Sequence, residues 1–112
     1  MVSAPGYCQM TTTMPDRAAA ERLAATLVEE HWAACAQVAG PVESVYRWQG
    51  KVERATEWYC HLKTTLAAAP GLRQRIRELH PYETPEIVAV PLVNGDPDYL
   101  RWIDASVACR GS

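Results

Sequence analysis

Apolar and polar positions alternate over residues 7–13, with Cys8, Met10 and Thr12 on one side and Tyr7, Gln9 and Thr11 on the other. A period of two predicts a half-buried first strand. Pro15 and Asp16 then form a helix start, after which Ala20, Leu23, Ala24, Leu27 and Val28 recur at helical spacing and Glu21, Arg22, Glu29 and Glu30 fall off the stripe. The first helix is expected to run to about Glu30. His31, just beyond it, reads as a surface histidine. Residues 35–38 and 42–48 read as a second strand interrupted at Gly40-Pro41, where a proline fits only an edge, a bend or a bulge. Gln49-Gly50 makes the turn. A third strand over about 57–65 places Trp58, Cys60, Leu62 and Thr64 on one face, and Tyr59, His61, Lys63 and Thr65 on the other.

Pro70 and Gly71 open a second helix that reads Leu72, Ile76 and Leu79. It stops at His80, because Pro81 disfavours the helical conformation of the residue before it. Arg73, Arg75, Arg77 and Glu78 read as its solvated face. Residues 78–86 then crowd an imidazole, a phenol, several polar side chains and two prolines into a short, stiff loop. A histidine at a helix C-terminus is easily kept charged, which makes His80 a candidate for chemistry. Ile87-Val88-Ala89-Val90-Pro91-Leu92 is apolar throughout and predicts a fourth strand covered on both sides. After the turn at Asn94-Gly95-Asp96, residues 97–107 read as a short amphipathic helix lying over a sheet edge. The order β, α, β, β, α, β predicts an α+β, ferredoxin-like antiparallel sheet with both main helices on one face and the other face open.

Composition narrows this picture. The chain has 112 residues, 48% hydrophobic and 21% charged, which suits one globular domain over residues 1–112. Its net charge of −2 argues against nucleic acid, since phosphate binders usually carry a basic excess. No apolar run is long enough to cross a membrane, and the first residues lack the charged start and apolar core of a signal peptide, so a cytoplasmic protein is expected. The closest cysteines, Cys35 and Cys60, are 25 positions apart, wider than a zinc site allows. The cysteines read as small buried hydrophobes, with Cys109 near the end of the chain.

Tyr7, Gln9 and Thr11 are expected beside Tyr59, His61 and Lys63 on the open face, with Tyr46 or Trp48 near them. Three occupants compete for that face. Nucleic acid would stack on its aromatic residues, but the basic and aromatic signature of such domains is missing. A second copy of the chain suits the long hairpin and the apolar edge strand. A catalytic site would draw acid and base from His61 with Lys63, or from His80 with Glu83 and Glu86. No phosphate loop, metalloprotease helix or nucleophile elbow supports that last reading.

Ala33-Ala34-Cys35-Ala36, Tyr46-Arg47-Trp48-Gln49-Gly50-Lys51, Lys63-Thr64-Thr65, His80-Pro81-Tyr82-Glu83-Thr84-Pro85-Glu86-Ile87 and Tyr99-Leu100-Arg101-Trp102 stand in a distinctive order. In these segments the chain resembles CutA, the divalent-cation tolerance family, from about Gln9 to Val107. The resemblance implies a non-enzymatic homotrimer, similar in layout to PII signalling proteins and linked to tolerance of copper and other divalent ions. Copper binding in the family has been ascribed to a cysteine late in the first strand and two adjacent histidines ending the second helix. His80 matches the second histidine, whereas Leu79 and Thr12 stand at the other two positions, and neither supplies the thiolate or imidazole that a soft copper site needs. The resemblance also implies a pocket between subunits, lined here by Trp48, Lys63, His80, Tyr82, Glu86 and Trp102. Its mixture of charge and aromatic wall suits a small anionic or metal-bearing ligand, Cu2+ among them. The alternative it leaves is a PII-like sensor that reports a metabolite to a protein partner.

Overall fold

The strongly periodic segments fold as their patterns require. The computed structural model describes residues 6–108. Its elements are β1 (Tyr7–Met14), α1 (Arg17–Glu29), β2 (Cys35–Trp48), β3 (Lys51–Thr65), α2 (Ala69–Leu79), β4 (Ile87–Pro91) and α3 (Pro97–Ala108). The four strands form one sheet in the order β2-β3-β1-β4, with every neighbouring pair antiparallel, which is the ferredoxin-like arrangement.

The core lies between this sheet and the two longer helices. Leu23 and Leu27 of α1 and Leu72 and Ile76 of α2 pack on Met10, Cys60 and Leu62. Each of these large apolar side chains contributes about 1.5–3 kcal/mol by leaving water. Asp16 fixes the start of α1, its Oδ1 accepting the Ala19 N–H at 2.8 Å. Arg75 is more than part of a solvated face. Its guanidinium donates twice to the Glu30 carboxylate, at 2.8 Å each, and ties α2 to α1. Cys8 and Cys60 are buried, and burial pushes the Cys60 thiol up to about 11. Cys35 is half-buried, with its Sγ 3.6 Å from the Tyr99 hydroxyl. Cys109 lies outside the described residues.

Three expectations are corrected. First, β2 shows the expected irregularity at Gly40-Pro41, a register shift between Ala39 and Val42, but β3 begins at Lys51 rather than near Glu57. Beyond the shift the two strands form an arm that the helices do not cover. Val45, Tyr46, Trp48 and Val52 are exposed on it, so no buried face imposes a period of two. The arm carries Tyr46 and Trp48 out with it, and the molecule measures 47 × 28 × 24 Å. Second, β4 is not covered on both sides within the chain, since it is an edge strand with Val88 52% and Val90 54% exposed. Third, α3 does not cap an edge. Its Ile103 and Val107 pack with Ala34, Tyr7 and Ala68 at one end of the open face, where Asp104 accepts the Tyr7 hydroxyl. His31, exposed as expected at φ 63, helps to hold this helix, its Nδ1–H donating to the Ser106 carbonyl at 2.9 Å.

Candidate functional site

The prolines of the loop after α2 fix its backbone, and its side chains are fixed by what they reach. His80 caps α2 with an extended backbone, as Pro81 demands. Its ring turns back to β1, where Nε2–H donates to the Thr13 carbonyl at 2.8 Å and lies 3.1 Å from Thr12 Oγ1. The carbonyl can only accept, so Nε2 carries the proton. Nδ1 then accepts the Tyr82 backbone N–H at 3.1 Å. Both ring nitrogens are engaged, and a neutral imidazole satisfies both bonds.

This reverses the expectation that the helix end keeps His80 charged. Burial holds its pKa below the ordinary histidine value, outweighing the Thr13 carbonyl and the charge of Glu57, which act the other way. The Tyr82 ring lies against that of His80, tilted at 54° with centroids 4.8 Å apart, and its hydroxyl donates to Glu57 Oε2 at 2.8 Å. Burial, then that bond, raises the Tyr82 pKa. Arg77 Nη2 donates to the Glu83 carbonyl at 3.1 Å and clamps the far side of the loop. Glu83 therefore meets Arg77 through its backbone, not His80 as an acid–base partner.

Among the six candidate pocket residues, only His80 and Tyr82 touch. Lys63 lies on the open face of β3, its Nζ donating to Gln37 Oε1 at 3.1 Å. Trp48 stands in the last pair of the arm, opposite Lys51. Glu86 is exposed beside β4. Trp102 is exposed on α3, its ring 5.4 Å from that of Tyr99. A groove of about 360 Å³ lies on the other side of the loop, between Leu79, Pro81 and the start of α1, and none of the six lines it. In a single chain they stand on β2, β3, the loop before β4 and α3.

The metal question has a geometric answer at the same place. Among the described residues no group of three or more His, Cys, Asp and Glu is positioned to hold an ion. Thr12 presents a hydroxyl already near His80, and Leu79 presents no donor. A metal on His80 would have to displace Thr13 or Tyr82, so the donor set of this chain does not fit a copper centre. Glu57 is the residue that the sequence reading missed. It is only 7% exposed, and nothing in its local pattern marks it; in the sheet it pairs with Val42, the first pair beyond the register shift.

The sheet order, the His80-Pro81-Tyr82 loop and the Tyr46–Lys51 turn meet in a known family. Residues 8–106 match the family model described as CutA1 divalent ion tolerance protein. The chain belongs to the CutA1 family. It is 40% identical over 106 residues to the divalent-cation tolerance protein CutA of Citrobacter koseri, covering 95% of this chain and 92% of that one. Against the namesake from Thermus thermophilus the identity is 44% over 91 residues, covering 81% and 88%. The crystal structure of CutA1 from Oryza sativa superposes with a TM-score of 0.90 at 33% identity, covering 96% of each chain. A further relative, from Archaeoglobus fulgidus, is described as a periplasmic divalent cation tolerance protein and matches at a TM-score of 0.87 and 36% identity, covering 90% of this chain and 98% of that one. In this chain, no helix among the described residues is long and apolar enough to cross a membrane.

Proposed function

We propose that this chain serves the tolerance of divalent cations as a cytoplasmic homotrimer that acts by binding rather than catalysis. In this reading a cleft between subunits gathers Trp48, Lys63, His80, Tyr82, Glu86 and Trp102 from different copies around a small ligand or a hydrated metal ion. The observation that carries it is the uncovered apolar surface of the arm and of β4. A two-stranded ribbon is marginal in water by itself, and an apolar edge strand invites pairing. Copies that pair at these edges cover both and bring the separate side chains within reach of one another.

Sedimentation equilibrium tests the assembly. The expected mass is three chains, and Val90→Asp, which places a charge on the edge, is expected to shift it toward one. A wild-type monomer at micromolar concentration removes the reading. A thermal-shift screen of divalent ions, nucleotides and small anions tests the cleft, because a ligand of the native state raises its apparent stability by mass action. The hit is expected to weaken in Glu86→Gln and Trp102→Ala, and a response that ignores both places the ligand elsewhere.

A further inference from the structure

The centre of the open face holds a polar cluster that the loop does not use. His61 and Lys63 stand two positions apart on β3, while Gln37 of β2 and Thr11 of β1 both pair with His61. Paired residues of an antiparallel ladder share a face, so these side chains are neighbours. Their mutual bonds consume acceptors. Gln37 Oε1 accepts from Lys63 at 3.1 Å, and His61 Nδ1 lies 2.9 Å from the Thr11 hydroxyl. What remains for an incoming group is the Gln37 amide N–H groups, the spare hydrogens of the Lys63 ammonium and, when Thr11 donates to Nδ1, the His61 Nε2–H, with the Gln9 amide opposite Lys63 on the same face. The imidazole is held in place by Tyr59, stacked at a centroid distance of 5.1 Å.

The charge is equally one-sided. Lys63 forms no ion pair among the described residues. Asp104 and Glu57, at the two ends of the sheet, accept the Tyr7 and Tyr82 hydroxyls and form no ion pair with Lys63. Burial and then the Lys63 charge hold the His61 pKa below its ordinary value. The other titratable groups over this face are Cys35, Tyr59 and, at the α3 end, Tyr7, Tyr99 and Asp104.

We propose that this face binds a small oxyanion, a carboxylate or phosphate group, through Lys63 Nζ, Gln37 Nε2 and His61 Nε2. A bound oxygen selects the imidazole form in which Thr11 donates to Nδ1 and Nε2 carries the proton. Donors beside one fixed cation are what such groups require, and charge-assisted bonds are the stronger kind. The inference deepens the cleft reading and rests on it for the shared Lys63, but the donor set is complete in one chain. Where copies close over the face, the anion offsets the repulsion among their lysines.

Titration calorimetry of the full chain with inorganic phosphate, and separately with succinate, tests it, with chloride as control. At least one oxyanion is expected to bind, and Lys63→Gln to bind it roughly tenfold more weakly, a change of about 1.4 kcal/mol. Gln37→Leu, which keeps the charge, is expected to weaken it too. Saturation is expected to raise the His61 pKa followed by ring-proton NMR, an effect that a merely structural Lys63 would not produce. Phosphate alone binding identifies a phosphoryl ligand, and succinate alone a carboxylate. Binding of neither, or unchanged binding in both variants, overturns the proposal. Chain mass measured on the same sample separates the two readings: a monomer that binds oxyanion leaves this one standing, and a trimer that binds none leaves only the assembly.

Discussion

Tyr82→Phe removes one oxygen from the molecule and leaves the ring against His80. The lost hydroxyl donates to Glu57 Oε2 at 2.8 Å, where Glu57 is only 7% exposed. A hydrogen bond to a charged group contributes about 1.5–3 kcal/mol, and an acceptor left without its donor also keeps its desolvation cost. Tyr82 itself is half-buried, so some water reaches the gap, and the expected loss is about 2 kcal/mol. For a chain of this length that lowers the melting temperature by about 8 °C. Urea denaturation at one fixed protein concentration measures it, because self-association adds to apparent stability. A cycle with Glu57→Gln isolates the pair: the double variant is expected to lose much less than the two single losses added together. A Tyr82→Phe chain within about 0.5 kcal/mol of the parent, the size of an ordinary surface change, refutes the assignment of Glu57 as the anchor of the loop.

Stability is also expected to fall in mild acid. His61 and His80 are both held below their ordinary value of 6.5, so the unfolded chain binds more protons. Their contribution is complete above that pH and is lost as the pH drops through the lower folded values. Denaturation curves taken across this range are expected to flatten in His80→Gln combined with His61→Gln, and an unchanged slope would contradict the burial argument. Gly71→Ala places a Cβ 2.3 Å from the Trp32 ring and is expected to destabilise by about 1–3 kcal/mol through overpacking, read as a lower urea midpoint. Arg75→Met cuts the tie between the helices and is expected to cost about 1 kcal/mol, less as salt is added, because the pair is part-exposed. A salt-independent loss would assign the effect to packing of the arginine stem.

Where a segment had one buried side, the sequence showed it. The alternation of β1 and the stripe of α1 gave elements whose ends differ from expectation by about one residue, and the Pro81 rule placed the end of α2 at His80. The arm escaped because Lys51 to Arg54 are all exposed, leaving no period to read. β4 misled for the opposite reason: an apolar run is the same string whether helices or nothing at all cover it. At the site, the loop was legible through its prolines. The protonation of His80 was not, because the Thr13 carbonyl comes from a strand far away in sequence. Glu57 was invisible for the same reason, its partner lying 25 positions on.

Gly40 stands where the arm leaves the body, and a Cβ there would come within 2.8 Å of the Trp58 ring. That ring in turn lies under the Arg17 guanidinium in the first turn of α1, 5.6 Å from its centroid. The indole is thus wedged between the base of the hairpin and the start of α1. Asp16 caps that helix two residues after Met14, the end of the strand to which His80 is hydrogen-bonded through Thr13. The base of the hairpin and the imidazole loop thus meet the same short stretch of chain, from Thr13 to Arg17.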